Sequence, residues 1–294
     1  VIYGKNDATF PKKQKKMLLN ADNDKLIRHI QLTLYNHKVQ KEILPRNVED
    51  MLNQSAVLFP VGPKWCDSDN PAELCLILNK RSKKVKQAGD LCCPGGGVSL
   101  GLDKFLSKLL TFPFSPLTRW IFWKKCRSHH PGDARKLAIL YATSLRESFE
   151  EMRLNPLGAN FMGVLPPQQL MTRNRFIFPM VAWIPRQKRL FPNWEVEKIV
   201  HLPFRDLLKP DNYAAFELSM PEEQEMSFNG HPQFFPCYLH HVEDDTEALW
   251  GATYRIVMDF LSLVFGFTPP DAGSLPVIKW ELDKDYMTGI RASA

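Results

Sequence analysis

Arg146-Glu147-Ser148-Phe149-Glu150-Glu151 is the stretch whose reading decides the fold. It lies in the segment Asp133–Met152, which reads as one amphipathic helix. At about 100° per residue, Glu147, Glu150 and Glu151 share a face. Leu137, Tyr141, Leu145, Phe149 and Met152 recur at three- and four-residue intervals and supply the opposite, buried face. Carboxylates this close repel one another by a few tenths of a kcal/mol per pair. A helix that needed only solubility would alternate Glu with Lys. A face of several carboxylates instead matches what hard divalent cations require, and the competing reading is a solvated acidic turn.

Upstream, Leu74-Cys75-Leu76-Ile77-Leu78 and Leu91-Cys92-Cys93 are two apolar runs joined by a basic, Gly-containing turn, which predicts a pair of strands. Pro94-Gly95-Gly96-Gly97 follows. Glycines after a strand let the backbone turn sharply and approach a ligand closely. Further strands are expected at Ser55–Val61, Asn160–Leu165, Phe176–Ile184 and Ile199–Pro203, and helices at Lys25–Tyr35, Val48–Leu52 and Trp250–Phe265. Residues 209–236, with their Pro and Glu, read as a long loop. Helix and strand alternate without strict βαβ repetition, which implies an α/β (α+β) domain with a mixed sheet between helices.

Strand, glycine loop and carboxylate helix in this order resemble the Nudix hydrolases. Their signature is Gly, five residues, Glu, seven residues, Arg-Glu, an aliphatic, any residue, Glu-Glu, any residue, Gly and an aliphatic. The second half matches from Arg146 to Leu154, with Ser148 at the first aliphatic place and Arg153 at the final glycine. Within Nudix proteins the chain most resembles the coenzyme A diphosphatases. Leu76-Ile77-Leu78-Asn79-Lys80-Arg81-Ser82, Lys86, Gly89 and Cys93-Pro94-Gly95-Gly96 follow that group's leading motif, with Lys86 to Gly89 one residue short. Gly163-Val164-Leu165-Pro166-Pro167, Trp194-Glu195-Val196, Leu202 to Leu208 and Leu249 to Ile256 look like its later blocks. The resemblance runs from about residue 55 to 265.

Two departures stand out. The signature's first Glu falls on Ala138. Gly132 falls on its glycine, but Pro131-Gly132-Asp133 reads better as a turn with Asp133 capping the helix. The glycine loop is therefore placed at Gly95–Gly97, and residues 98–132 become an insertion inside the Nudix box. That insertion is rich in aromatics and bases and has no acid after Asp103. It reads as a helical hairpin broken at Pro113 and Pro116. Phe105, Leu109, Phe114, Trp120, Phe122 and Trp123 need cover: the domain itself, the active site beneath a lid, a second subunit in a homodimer, or an anionic membrane surface. No run approaches the roughly 20 apolar residues of a membrane span.

The resemblance implies a Mg²⁺- or Mn²⁺-dependent diphosphatase. Glu147, Glu150, Glu151 and the backbone at Gly96 would hold the metal, with Glu147 as ligand or base and Arg146 orienting the carboxylates. Gly95, Arg81 and Lys86 would meet a small nucleotide substrate. Coenzyme A or an acyl derivative is the implied substrate, cut to 3′,5′-ADP and a phosphopantetheine. The alternatives are another nucleoside diphosphate derivative such as ADP-ribose, or a catalytically impaired scaffold that binds a partner or membrane through the insertion. Three parts are expected: an extension over 1–53, the Nudix domain over 54–268 and a tail over 269–294. Six scattered cysteines form no disulfide framework or zinc spacing. A net charge of +6 suits a phosphate substrate but is too modest to argue for nucleic acid, and the short basic run Lys12–Lys16 reads as a solvated arm. The chain shows no address signal, so a cytoplasmic location is the default.

Overall fold

The computed structural model describes residues 23–41, 43–64, 73–170, 175–219, 233–242 and 245–281, together with Tyr286. The Lys12–Lys16 run, Cys66 and most of the tail fall outside these residues.

The first helix, α1 (Asn23–Gln40), buries Leu26, Ile30 and Leu34, the spacing that predicted it. The expected helix at Val48–Leu52 is only a single 3₁₀ turn, Glu49–Met51. Then come β1 (Ser55–Lys64), β2 (Glu73–Arg81), β3 (Leu91–Cys92) and β4 (Gly95–Gly97). Residues 98–132, expected to be an insertion, contribute α2 (Leu100–Leu109) and α3 (Trp123–His129). The carboxylate helix α4 (Pro131–Met152) leads to β5 (Asn160–Val164), β6 (Gln168–Gln169), β7 (Phe176–Trp183) and β8 (Val196–Pro203).

These strands form one mixed sheet in the order β3-β2-β1-β7-β5. β8 pairs with β2, β4 with the start of β1, and β6 with β7. Only β1 and β7 run parallel, from Ser55 opposite Ile177 to Val61 opposite Trp183. Both central strands are apolar on both faces because each face is covered. Phe59, Val61 and Leu76 pack towards α1 and the final helix, α6 (Gly251–Phe265). Ala56, Leu58 and Ile77 pack towards α4 and the insertion.

Residues 209–236 are not one long loop. After a short helical turn, α5 (Phe204–Leu207), they contain β9 (Tyr213–Ser219) and the start of β10 (Gln233–Val242). With β11 (Asp245–Leu249) and β12 (Val277–Glu281) these make a second, four-stranded sheet in the order β11-β10-β9-β12. Pro236 suggested a break, yet it pairs with Ala215 on one side only, beyond the reach of β11. A proline is tolerated where a strand lacks a neighbour. Glu247 on β11 ties the two sheets together, meeting Lys80 of β2 at 3.0 Å and Lys198 of β8 at 2.5 Å. Among the described residues, no helix is long and apolar enough to cross a membrane.

Candidate active site

α4 begins at Pro131, two residues before the expected start, with His130 at the N-cap and no side-chain cap. Proline suits the first helical turn because its missing N–H has no partner there. Asp133 is not the cap. It sits one turn in and binds Lys38 of α1 at 2.8 Å and Lys136 at 2.9 Å, which hold its carboxyl below the ordinary value against the cost of burial. The buried face holds Leu137, Tyr141, Leu145 and Met152, as the periodicity predicted. Phe149 is the exception: it is exposed, with the Arg153 guanidinium over its ring. Ser144 and Ser148 are buried instead and bond back to the helix carbonyls of Tyr141 and Ser144.

The glycine strand and the helix meet. β4 pairs with Ser55–Val57 of β1, and α4 packs across it. At Gly96 an added Cβ would lie 2.5 Å from the Glu147 carboxylate carbon, so only glycine lets Glu147 lie over the strand. At Gly95 a Cβ would come 2.5 Å from the Ala56 carbonyl and the Val57 Cα. The Gly95 backbone N–H donates to the Glu151 carboxylate. Gly97 and Gly132, by contrast, have nothing near an added Cβ.

Glu147 and Glu151 are drawn together by this packing. Asn79 of β2 donates from Nδ2 to Glu151 Oε2 at 2.6 Å, and its own Oδ1 is buried without a partner. Burial raises the Glu151 pKa to about 8; repulsion from Glu147 adds to this, and the bonds from Gly95 and Asn79 oppose it. Burial also raises Glu147, with the Arg146 guanidinium pulling the other way. Glu150 stays outside, its side chain 54% exposed, at 3.5 Å from Arg146. Among the described residues, no group of three or more His, Cys, Asp or Glu side chains is gathered closely enough to hold a metal ion. The face therefore offers two converging carboxylates and a third on the same turn. Glu195 adds a further negative charge near Glu151.

Arg146 makes the connection that the sequence did not reveal. Its Nε donates to Asp103 Oδ1 at 2.9 Å, Nη1 to Glu147 Oε1 at 2.8 Å and Nη2 to the Gly97 carbonyl at 3.2 Å. Asp103 is wholly buried and also accepts from the Ser99 N–H at 2.7 Å and the Thr143 hydroxyl at 2.8 Å. It comes from α2 of the insertion. Ala138, where the signature has its first Glu, is buried within α4. The available hint was that Asp103 is the only acid in residues 98–132.

Arg81 and Lys86 occupy the turn between β2 and β3. Arg81 Nε donates to the Lys86 carbonyl at 2.7 Å, so Arg81 braces this turn. Arg81 and Glu151 both lie near enough to the Cys92 thiol to bear on it, Arg81 through a hydrogen bond. Lys86 is exposed.

Arg153, at the signature's final glycine, has φ 55° and ψ 34° and ends α4 in the left-handed conformation. The Leu154 N–H returns to the Ser148 carbonyl and the Arg153 N–H to the Phe149 carbonyl, satisfying the helix end.

No protein-family model matches the chain. It is similar to a protein of Enterobacter sp. (strain 638) described as an uncharacterized Nudix hydrolase NudL, with 24% identity over 229 residues, 76% of this chain and 90% of the relative. A solved Nudix hydrolase from Alicyclobacillus acidocaldarius overlaps 73% of this chain and 91% of its own, at 12% identity and a TM-score of 0.38. The Nudix hydrolase RenU from M. smegmatis overlaps 53% and 73%, at 11% identity and a TM-score of 0.33.

Proposed function

We infer that the protein is a Nudix-type hydrolase that cleaves a pyrophosphate bond in a nucleoside diphosphate derivative with the aid of Mg²⁺ or Mn²⁺. One observation carries the reading: two partly buried carboxylates, Glu147 and Glu151, held against a glycine strand by Arg146, Asn79 and the Gly95 N–H. Burying like charges together is costly unless something compensates. The relative's similarity and the order of glycine loop and helix point the same way.

The residues suit a hard divalent cation in kind. Glu150 and Glu151 offer carboxylate oxygens that Arg146 and Asn79 leave free and that would hold it, and carboxylate oxygen is the preferred donor for Mg²⁺. Such a cation supplies charge neutralisation at the phosphate oxygens and lowers the pKa of the attacking water. The chain's own residues do the rest. Arg146, itself fixed by Asp103, holds one oxygen of Glu147 and leaves the other to take the water proton. The new P–O bond forms as the bridging P–O bond breaks, and the leaving phosphate carries away the electron pair. Burial of Glu147 raises its basicity, which favours this role. Arg81, which like Glu151 lies near Cys92, would supply positive charge for the substrate phosphates.

By resemblance, coenzyme A or an acyl derivative is the first substrate to try, and ADP-ribose the second. The test is a hydrolysis screen of the purified protein over coenzyme A, acyl derivatives, ADP-ribose and NADH with Mg²⁺ and Mn²⁺, with products identified by mass. Release of 3′,5′-ADP from coenzyme A would establish the diphosphatase reading. Cleavage of ADP-ribose alone would move the substrate while keeping the reaction. No cleavage of any of them would leave the impaired-scaffold reading.

A further inference from the structure

The insertion divides its large apolar residues into two groups. Trp120, Trp123 and Leu117 are buried, with Trp120 edge-on to Tyr35 and Phe161. They anchor the hairpin to the domain. Phe105, Phe112 and Phe114 face solvent at 60%, 61% and 90% exposure, and Leu102, Leu109 and Ile121 are about half exposed. Leu102, Phe105 and Leu109 fall within about 60° of arc on α2, so they form one stripe leading to the turn that carries Phe112 and Phe114. Phe114 has φ 64°, a conformation an aromatic residue rarely adopts, and here it carries the side chain out of the protein.

Charge accompanies this surface. Residues 98–132 carry six Lys and Arg and one acid, Asp103, which is buried under Arg146. Between α2, α3 and α4 lies an open cleft of about 540 Å³ with Lys104, Lys108, Arg127 and Arg135 on its walls and no acid among its lining residues. None of these four cations has an ion-pair partner among the described residues. Exposed aromatics beside unpaired bases are the composition of a surface that enters the interface of an anionic bilayer. A subunit interface would more usually deplete lysine at its centre.

We propose that the insertion docks the protein on anionic membranes, Phe105, Phe112 and Phe114 entering the headgroup layer while the cleft cations receive lipid phosphates. This proposal does not depend on the hydrolase reading. The docking surface lies on α2, its following turn and the cleft that reaches Arg127 of α3 and Arg135 in the first turns of α4, while the carboxylates lie further along α4 at Glu147–Glu151.

The test is co-sedimentation of the full chain with phosphatidylcholine vesicles and with vesicles in which about a third of the lipid is phosphatidylserine. Three proteins are compared: wild type, Phe105→Ser/Phe112→Ser/Phe114→Ser, and Lys108→Glu/Arg127→Glu. Thermal unfolding checks that each is folded, and size-exclusion chromatography reads its association state. Wild type is expected to pellet with the anionic vesicles and to be released as salt is raised. The aromatic variant is expected to lose at least about tenfold in partitioning at an unchanged unfolding midpoint. The charge variant is expected to lose its preference for anionic over neutral vesicles. Wild type remaining in the supernatant would overturn the proposal, as would an aromatic variant that pellets like wild type. A wild-type dimer that binds no vesicles, and that the aromatic substitutions dissociate, would assign the surface to a second copy instead.

Discussion

Asp103 holds the side chain on which the proposed chemistry depends. It accepts bonds from Ser99, Thr143 and Arg146 at full burial, and Arg146 passes the constraint to Glu147. Asp103→Ala would leave a largely buried guanidinium short of its partner, a loss on the order of 3–5 kcal/mol in unfolding free energy. Asp103→Asn keeps the shape and removes the charge. It is expected to lower kcat by about tenfold to a hundredfold while KM stays within about twofold, because a loosened Glu147 harms the reacting geometry more than binding. An unchanged kcat in steady-state kinetics would mean that Arg146 is oriented without Asp103. Arg153 is a simpler case. A non-glycine residue in the left-handed region costs about 1 kcal/mol, partly offset here by the stacking on Phe149. Arg153→Gly is expected to stabilise the protein by about 0.5–1 kcal/mol in denaturant unfolding. Neither arrangement could be read from the sequence. Asp103 lies 43 residues before Arg146, and only the folded insertion brings them together.

At the scale of elements, β4 and α4 form a unit, and Gly96 is the point where they touch. In Gly96→Ala the new methyl meets the mobile end of Glu147 rather than backbone, so the fold should survive while the carboxylate moves aside. Turnover is expected to fall by roughly a hundredfold with little change in unfolding midpoint, since displacements near 1 Å carry penalties of that size. Retained turnover would show that Glu147 does not need its place over the strand. The strands of the first sheet were legible because β1, β2, β5 and β7 are apolar runs, and the α4 core positions followed from a 3.6-residue period. The second sheet was not, because Tyr213–Ser219 and Gln233–Val242 contain Glu217, Pro236, His240 and His241 and pair mostly with one another. The surface facing of Phe149 also broke the period: Ser144 and Ser148 are buried while Phe149 lies under the Arg153 guanidinium.

For the molecule as a whole, burial of the carboxylate pair costs stability once Glu151 is ionised. Glu151 titrates at about 8 in the folded protein against 4.5 when free. The folded state thus holds this proton more tightly than the unfolded chain does. The resulting stability is complete below about pH 4.5 and disappears as the pH rises through about 8. Without divalent cation, Glu151→Gln is therefore expected to match wild type near pH 4.5 and to melt higher at pH 8, by about 5 °C. Mg²⁺ should raise the wild-type midpoint more at pH 8 than at pH 6, because cation and proton compete for one carboxylate. A midpoint for wild type that is flat from pH 5 to 8 would contradict the burial of this pair. The most direct test of the central claim is turnover of the best substrate by wild type and Glu151→Gln, side by side with saturating Mg²⁺. The expected result is active wild type and a variant at least about a hundredfold slower, though folded. Equal rates would place the chemistry elsewhere on the chain and contradict the site built on Glu147 and Glu151.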